Sequence, residues 1–220
     1  MSSKNRSALS RLEAMSADLE PRLRARLDAI CADADLHARF LNTLSLMEHI
    51  GSRKIMASQS PNMPAQDTLK HLAEETRHAY FFKRAAEKMA ARALGYAPGD
   101  MIAGVSAAMY MGRLDAHVAE ALGDKAAPQA AYLYMSLIVE LRAVWFYRIY
   151  QAALAARKTG VSLTSVLAEE EMHLDEMRAR LRGMDSAFKR RVAEFARFEN
   201  AQFRSLWSAV EQDCAMAAAA

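Results

Sequence analysis

The stretch from Ala130 to Tyr150, AAYLYMSLIVELRAVWFYRIY, is an apolar run of helix length with a single acid, Glu140, near its middle. On a helix Glu140 shares its face with Leu133, Leu137, Val144 and Tyr147. A carboxylate left charged and unpaired there would cost several kcal/mol. It needs a proton, a cation or a metal, and the rest of the chain favours metal.

Three more acids sit on apolar helical faces. Glu48 lies in LHARFLNTLSLMEHIGSRKIMASQ, whose stripe of Phe40, Leu41, Leu44, Met47 and Ile55 has the helical period. Glu75 and Glu170 each carry a histidine three residues later, His78 and His173. Glu48 precedes Glu75 by 27 positions (75 − 48) and Glu140 precedes Glu170 by 30 (170 − 140), so the chain holds a divergent repeat. Each half reads as a helix with a lone Glu, a turn, and a helix with Glu-x-x-His. Paired about a pseudo-two-fold axis, the halves bring four carboxylates and two imidazoles to one level. Residues three apart on a helix point the same way, so each Glu-x-x-His grips one ion. Glu48 and Glu140 then cap or bridge the pair, the di-iron or di-manganese carboxylate pattern. Four carboxylates carry −4 and two divalent ions +4. Without metal, each close pair of carboxylates would repel by roughly 4 kcal/mol at an effective dielectric near 20. Glu74 and Glu169, four before their histidines, are geometric substitutes, but the apolar neighbours of Glu75 and Glu170 favour the three-residue spacing.

Composition sets the frame around this constellation. The chain has 220 residues, 52% apolar, with eight Gly and five Pro, too few for a turn-rich β protein. A net charge of +3 with acids and bases interspersed leaves no basic patch for nucleic acid. Cys31 and Cys214 stand far apart, outside any metal-binding cluster. The N-terminus carries no apolar core of a secretory signal, and no apolar run reaches membrane length free of charge. The expectation is a soluble, cytoplasmic protein without a membrane span.

The chain divides into a disordered segment over 1–10, one helical domain over 11–212 and a frayed Ala-rich tail over 213–220. Pro21 marks a kink or boundary in a first polar helix. SPNMP, at 60–64, ends the helix of Glu48. Asp67 or Thr68 caps the helix of Glu75, which is expected to run on to a terminal Gly95. Residues 96–128 form a crossover with its own helix. The expected fold is all-α: a ferritin-like four-helix bundle of two hairpins joined by a long crossover, with extra N-terminal, crossover and C-terminal helices. One mismatch stands out. Glu140 lies 20 residues before Gly160, but Glu170 only 10 after it. The helix must therefore break near 151–158, or the VSLTS segment must stand off the bundle axis.

On these residues the chain, over roughly 36–182, resembles the ferritin-like di-iron carboxylate superfamily, and within it looks most like the aldehyde-deformylating oxygenases. Their first Glu-x-x-His is likewise followed by a basic helix and a long crossover, and their third helix is similarly aromatic after its Glu, as in ELRAVWFYRIY. The segment after the last ligand is shorter here, and the break after Ile149-Tyr150 carries no proline, so substrate identity does not transfer. The resemblance implies Glu48, Glu75, His78, Glu140, Glu170 and His173 as ligands of two iron ions, with manganese an alternative in one or both places. It implies an oxidase or oxygenase that uses O₂ and an external electron donor, a reductase or ferredoxin, on a hydrophobic small molecule. A homodimer is one assembly open to such a chain. The competing reading is iron oxidation or peroxide scavenging of the ferritin or rubrerythrin kind, without an organic substrate. Tyr147, two turns from Glu140, is the candidate catalytic residue, against plain packing with a satisfied hydroxyl. Leu44, Met47, Phe82, Trp145 and Tyr147 are candidate pocket residues, with Gly51 and Ser52 leaving room above the metals. Arg53, Arg77 and Arg142 are candidates to support the ligands from behind, with a solvated face the expectation for each. His37, His49, His71 and His117 lack ligand spacing, and His71, four before Glu75, is the only one of them for which contact with the site stays open.

Overall fold

In the computed structural model, residues 3–58, 65–123 and 128–219 are described. The loop expected at SPNMP falls outside them. The described residues form eight α-helices: α1 (Ser3–Ser16), α2 (Glu20–Ala32), α3 (Ala34–Ala57), α4 (Gln66–Ala90), α5 (Gly104–Leu122), α6 (Pro128–Arg157), α7 (Thr164–Met184) and α8 (Phe188–Ala219), with a short 3₁₀ turn at Pro98–Asp100. No strand forms among the described residues. None of these helices is long and apolar enough to cross a membrane.

The helix α6 is the axis of the molecule. It touches α1, α2, α3, α5, α7 and α8, so a helix apolar all round has a partner on every side. Between Ala130 and Tyr150 only Arg148 is exposed. The two closest-packed helix pairs are the hairpins α3/α4 and α6/α7. They meet through α3 against α6 and α4 against α7, which places the lone Glu of each half opposite the other half.

The register mismatch narrows from ten residues to four without a break in α6, which runs unbroken to Arg157. Lys158 and Gly160 take positive φ values of 51° and 77° and reverse the chain. The segment 161–163 then runs back along α6, where the Leu163 amide donates to Gln151 Oε1 at 2.6 Å. Glu170 is therefore seven residues past a point level with Gln151, and Glu140 is eleven before it.

Four boundaries differ from the sequence reading. The segment expected to be disordered over 1–10 is helical from Ser3, and Leu9 and Leu12 bury an apolar edge at 2% exposure each. The tail at 213–220 continues as α8 to Ala219, anchored by the buried Cys214. And α4 stops at Ala90 rather than near Gly95, with Ala91 supplying the left-handed residue at φ 52°. Lys83 and Asn42 hold the chain that follows. Asn42 Nδ2 donates to the Gly95 and Asp100 carbonyls at 2.7 and 2.9 Å, and Lys83 donates to Asn42 Oδ1 at 3.0 Å and to the Leu94 carbonyl. Ala65, whose side chain makes no capping bond, begins α4 in place of the expected Asp67 or Thr68.

Candidate metal centre

Two clusters of buried ligand atoms lie at the meeting point of the hairpins. One joins His71, Glu75, Glu140 and His173; the other joins Glu48, Glu75, His78 and Glu170. Within each, one ligand atom per residue lies within 4.8 Å of all the others. Bonds of about 2.1 Å from a shared ion would set ligand atoms at most about 4.2 Å apart, so closing around an ion needs only small side-chain adjustments. All six residues singled out in the sequence are therefore brought together, with Glu75 common to both clusters. A seventh, His71, joins them.

The polar atoms facing the gap are orphaned. His71 Nε2, Glu75 Oε1, His78 Nδ1, both Glu140 oxygens, Glu170 Oε2 and His173 Nδ1 are buried and make no hydrogen bond of good geometry. Buried polar groups are normally satisfied, and seven orphans aimed at one space are what a set of metal ligands looks like without metal. Thiolates take no part, and nitrogen with oxygen donors suits iron or manganese.

The outward nitrogens, by contrast, are all engaged, and the two hairpins serve each other. His78 Nε2 on α4 pairs with Glu169 Oε2 on α7 at 2.7 Å, and His173 Nε2 on α7 pairs with Glu74 Oε2 on α4 at 2.8 Å. These neighbouring acids orient the rings, so that Nδ1 of each faces the gap. Arg77, 53% exposed, grips Glu169 in turn through two hydrogen bonds of 3.0 and 2.6 Å. His71 is turned the other way: its Nδ1 meets the Tyr132 hydroxyl at 2.7 Å and its Nε2 faces Glu140 at 2.9 Å and Glu75 at 3.3 Å. Glu169→Gln keeps a hydrogen-bonding side chain but removes the charge behind His78. Its metal affinity is expected to fall roughly 10- to 100-fold, with the unfolding temperature of the metal-free protein nearly unchanged. Calorimetric titration with Fe(II) without oxygen measures the first, and thermal unfolding the second.

Without metal the cluster neutralises itself with protons. Burial pushes Glu48 well above the usual carboxylate range, and the charges of Glu75 and Glu170 push it further. Burial likewise raises Glu140 to about 7. Burial disfavours charge on the imidazoles, but the carboxylates packed against them win. His71 is held up at about 12 by Glu140 and Glu75, His78 at about 10 mainly by Glu170, and His173 at about 9 mainly by Glu170. Glu170 is also burdened by burial, yet His173 and His78 pull it down to about 2.

Tyr147 donates its hydroxyl to Glu48 Oε1 at 2.5 Å and is 4% exposed. The residue picked out from the helical spacing to Glu140 thus touches the opposite hairpin's lone Glu. Burial, then the charge on Glu48, keeps this phenol well above its ordinary pKa, so it holds its proton.

A cavity opens onto the site from the side of α3 and α6. It has a volume of about 90 Å³ and touches Glu48, His71, Glu75, Glu140 and Glu170. Leu44, Met47 and Tyr147 line it as expected. Phe82 and Trp145 do not: Phe82 packs on the Tyr147 ring at 5.7 Å, and Trp145 lies under the Arg142 guanidinium at 4.9 Å. Gly51 borders the cavity, and a methyl group there would sit 3.4 Å from Glu75 Oε2. Ser52 turns back to its own helix, its Oγ donating to the His49 carbonyl at 2.9 Å. The far wall comes from elements with no motif of their own, through Tyr110, Met111, Phe203, Leu206, Trp207 and Val210. Arg142, expected on a solvated face, is 3% exposed and forms part of that wall.

The fold and site together define an all-helical protein with a buried carboxylate and histidine cluster able to hold metal. No protein-family model, no curated protein and no solved structure matches the chain. The class rests on the geometry alone.

Proposed function

We propose that this protein is a di-metal, O₂-dependent oxidoreductase, an oxidase or oxygenase of the ferritin-like di-iron carboxylate type, acting on a hydrophobic small molecule. The observation that supports it most is the shared boundary of two features. The orphaned ligands and the apolar cavity meet at the same residues, His71, Glu75, Glu140 and Glu170. Iron oxidation or peroxide scavenging alone has no use for an apolar cavity of this kind, which favours the reading with an organic substrate.

Two ferrous ions bound by these residues would supply electrons for the reduction of O₂. The chain's own residues do the rest. Glu48, Glu75, His78, Glu140, Glu170, His173 and His71 hold the ions, and Glu74, Glu169 and Tyr132 fix the rings. The walls around Leu44, Met47, Val139 and Phe146 exclude water and receive the substrate. Tyr147 keeps its own hydroxyl proton directed at Glu48 Oε1, where it would be a proton donor beside the site. An external reductase or ferredoxin restores the electrons. Free, buried Cys31 and Cys214 suit a reducing compartment such as the cytoplasm.

The test is to load metal-free protein with Fe(II) without oxygen, measure iron by elemental analysis, then follow O₂ consumption on mixing with air. Two irons per chain and O₂ uptake that rises with an apolar additive are the expected results. A Glu140→Ala variant that binds as much iron and consumes O₂ as fast removes Glu140 from the ligand set and sinks the proposal. A large hollow oligomer, with uptake indifferent to any organic molecule, would shift the reading to iron handling.

A further inference from the structure

The two halves of the site are not alike. Under the pseudo-two-fold relation Glu140 answers to Glu48, His173 to His78 and Glu170 to Glu75. The residue four before Glu75 is His71; the residue four before Glu170 is Val166, 2% exposed. The repeat is broken at that one pair, and the cluster around Glu140 gains an imidazole that the cluster around Glu48 lacks. One set is therefore two imidazoles with two carboxylates, the other one imidazole with three carboxylates.

We propose that the two ion positions are chemically unequal: the one built on His71 fills first and selects iron over manganese, whereas the one built on Glu48 binds more weakly and discriminates less. This rests on the di-metal reading of the site. Manganese binds more weakly than iron to any nitrogen and oxygen site, and the harder carboxylate donors suit it better than imidazole does. Adding an imidazole in place of a carboxylate widens the gap between the two metals, and only one position has that addition.

Three contacts push the same way. Glu48 Oε1 already accepts the Tyr147 hydroxyl at 2.5 Å, which draws charge from a ligand oxygen, while Glu140 meets only imidazoles of its own cluster, His71 Nε2 at 2.9 Å and His173 Nδ1 at 3.7 Å. Behind His78, Glu169 shares its charge with Arg77. Behind His173, Glu74 meets no basic partner other than that histidine among the described residues. A carboxylate not already neutralised makes the imidazole it holds a better donor, so His173 is the stronger ligand of the pair. Tyr132 completes the set by fixing His71 with Nε2 toward the gap.

The experiment uses the full chain, stripped of metal and kept without oxygen. Calorimetric titration with Fe(II) alone is expected to give two resolved steps, which requires affinities apart by about tenfold or more. Crystals of protein loaded with equal Fe(II) and Mn(II) are then measured at both absorption edges. Iron is expected between His71 and His173, with manganese enriched between Glu48 and His78. His71→Val, which copies the other half, should merge the two steps and make the two metal ratios alike, with thermal unfolding confirming the fold. Should that variant unfold, His71→Asn is the replacement, with the same expectation. Two ions bound with the same iron-to-manganese ratio in wild-type protein, or the reverse preference, overturn the inference and leave the di-metal reading standing. No metal at either position overturns both.

Discussion

Replacing Glu199 with alanine is expected to destabilise the protein by roughly 3–5 kcal/mol, because it strands a buried guanidinium. Glu199 is fully buried and Arg142 3% exposed. Arg142 Nε and Nη2 donate to the two Glu199 oxygens at 2.8 Å each, a bidentate pair. Further contacts surround the pair. Tyr110 donates to Glu199 Oε1 at 2.8 Å, Arg142 Nη1 donates to Ser16 Oγ at 3.0 Å, and Arg142 Nη2 donates to Asn200 Oδ1 at 3.0 Å. The guanidinium also lies 4.3 Å from the centroid of the Phe203 ring. One network thus ties α1, α5, α6 and α8 together behind the cavity. At roughly 2–4 °C per kcal/mol for a chain of this size, the unfolding temperature falls by roughly 6–20 °C. Thermal and urea unfolding followed by circular dichroism measure it. The double change Arg142→Met with Glu199→Leu removes both charges and should recover most of the loss. A single Glu199→Ala change that costs less than about 1 kcal/mol would mean the pair is not held in a dry interior.

How much of this could be read from the chain follows from which interactions are local. The six clustered side chains were legible because helix periodicity fixes which residues share a face, and two Glu-x-x-His pairs with matching lone acids are hard to obtain by chance. His71 had a signal too: 71, 75 and 78 are spaced four and three apart, one continuous stripe. The second half has Val166 in that place, so a search by repeat discards it. Arg142 was misjudged because its partner lies 57 residues away on a helix with no motif. The exchange of Glu74 and Glu169 between hairpins was hidden for the same reason, since each acid's partner lies more than 90 residues off. The far wall of the cavity depends on where α5 and α8 dock against α6. The backward run of 161–163 hangs on a single amide bonded to Gln151. Helix boundaries failed where tertiary contacts decide them, as at Leu9 and Leu12 in α1 and at Ala91 after α4.

Glu75 is the one side chain common to both clusters, so Glu75→Ala should abolish stoichiometric binding of either ion, whereas Glu48→Ala should spare the position built on His71. The pH dependence of loading follows from the protons the site must release. His71, His78 and His173 sit at about 12, 10 and 9 without metal, so below about pH 9 all three carry a proton on or beside the nitrogen an ion needs. An ion binds only the neutral imidazole. Raising the pH toward 9 therefore removes competition, and affinity climbs; lowering it restores the protons, and metal is lost. The sign is the same for Glu48, whose raised carboxyl must also ionise. Each displaced proton steepens the dependence by about tenfold in affinity per pH unit. Filling both positions at neutral pH should release at least three protons, one per histidine, measurable with an indicator in weakly buffered solution. Glu75→Ala should release almost none, because nothing binds. Metal affinity that stays level from neutral pH to about 9, or loading without proton release, would mean the imidazoles are already neutral and the site is not held together by protons in the absence of metal.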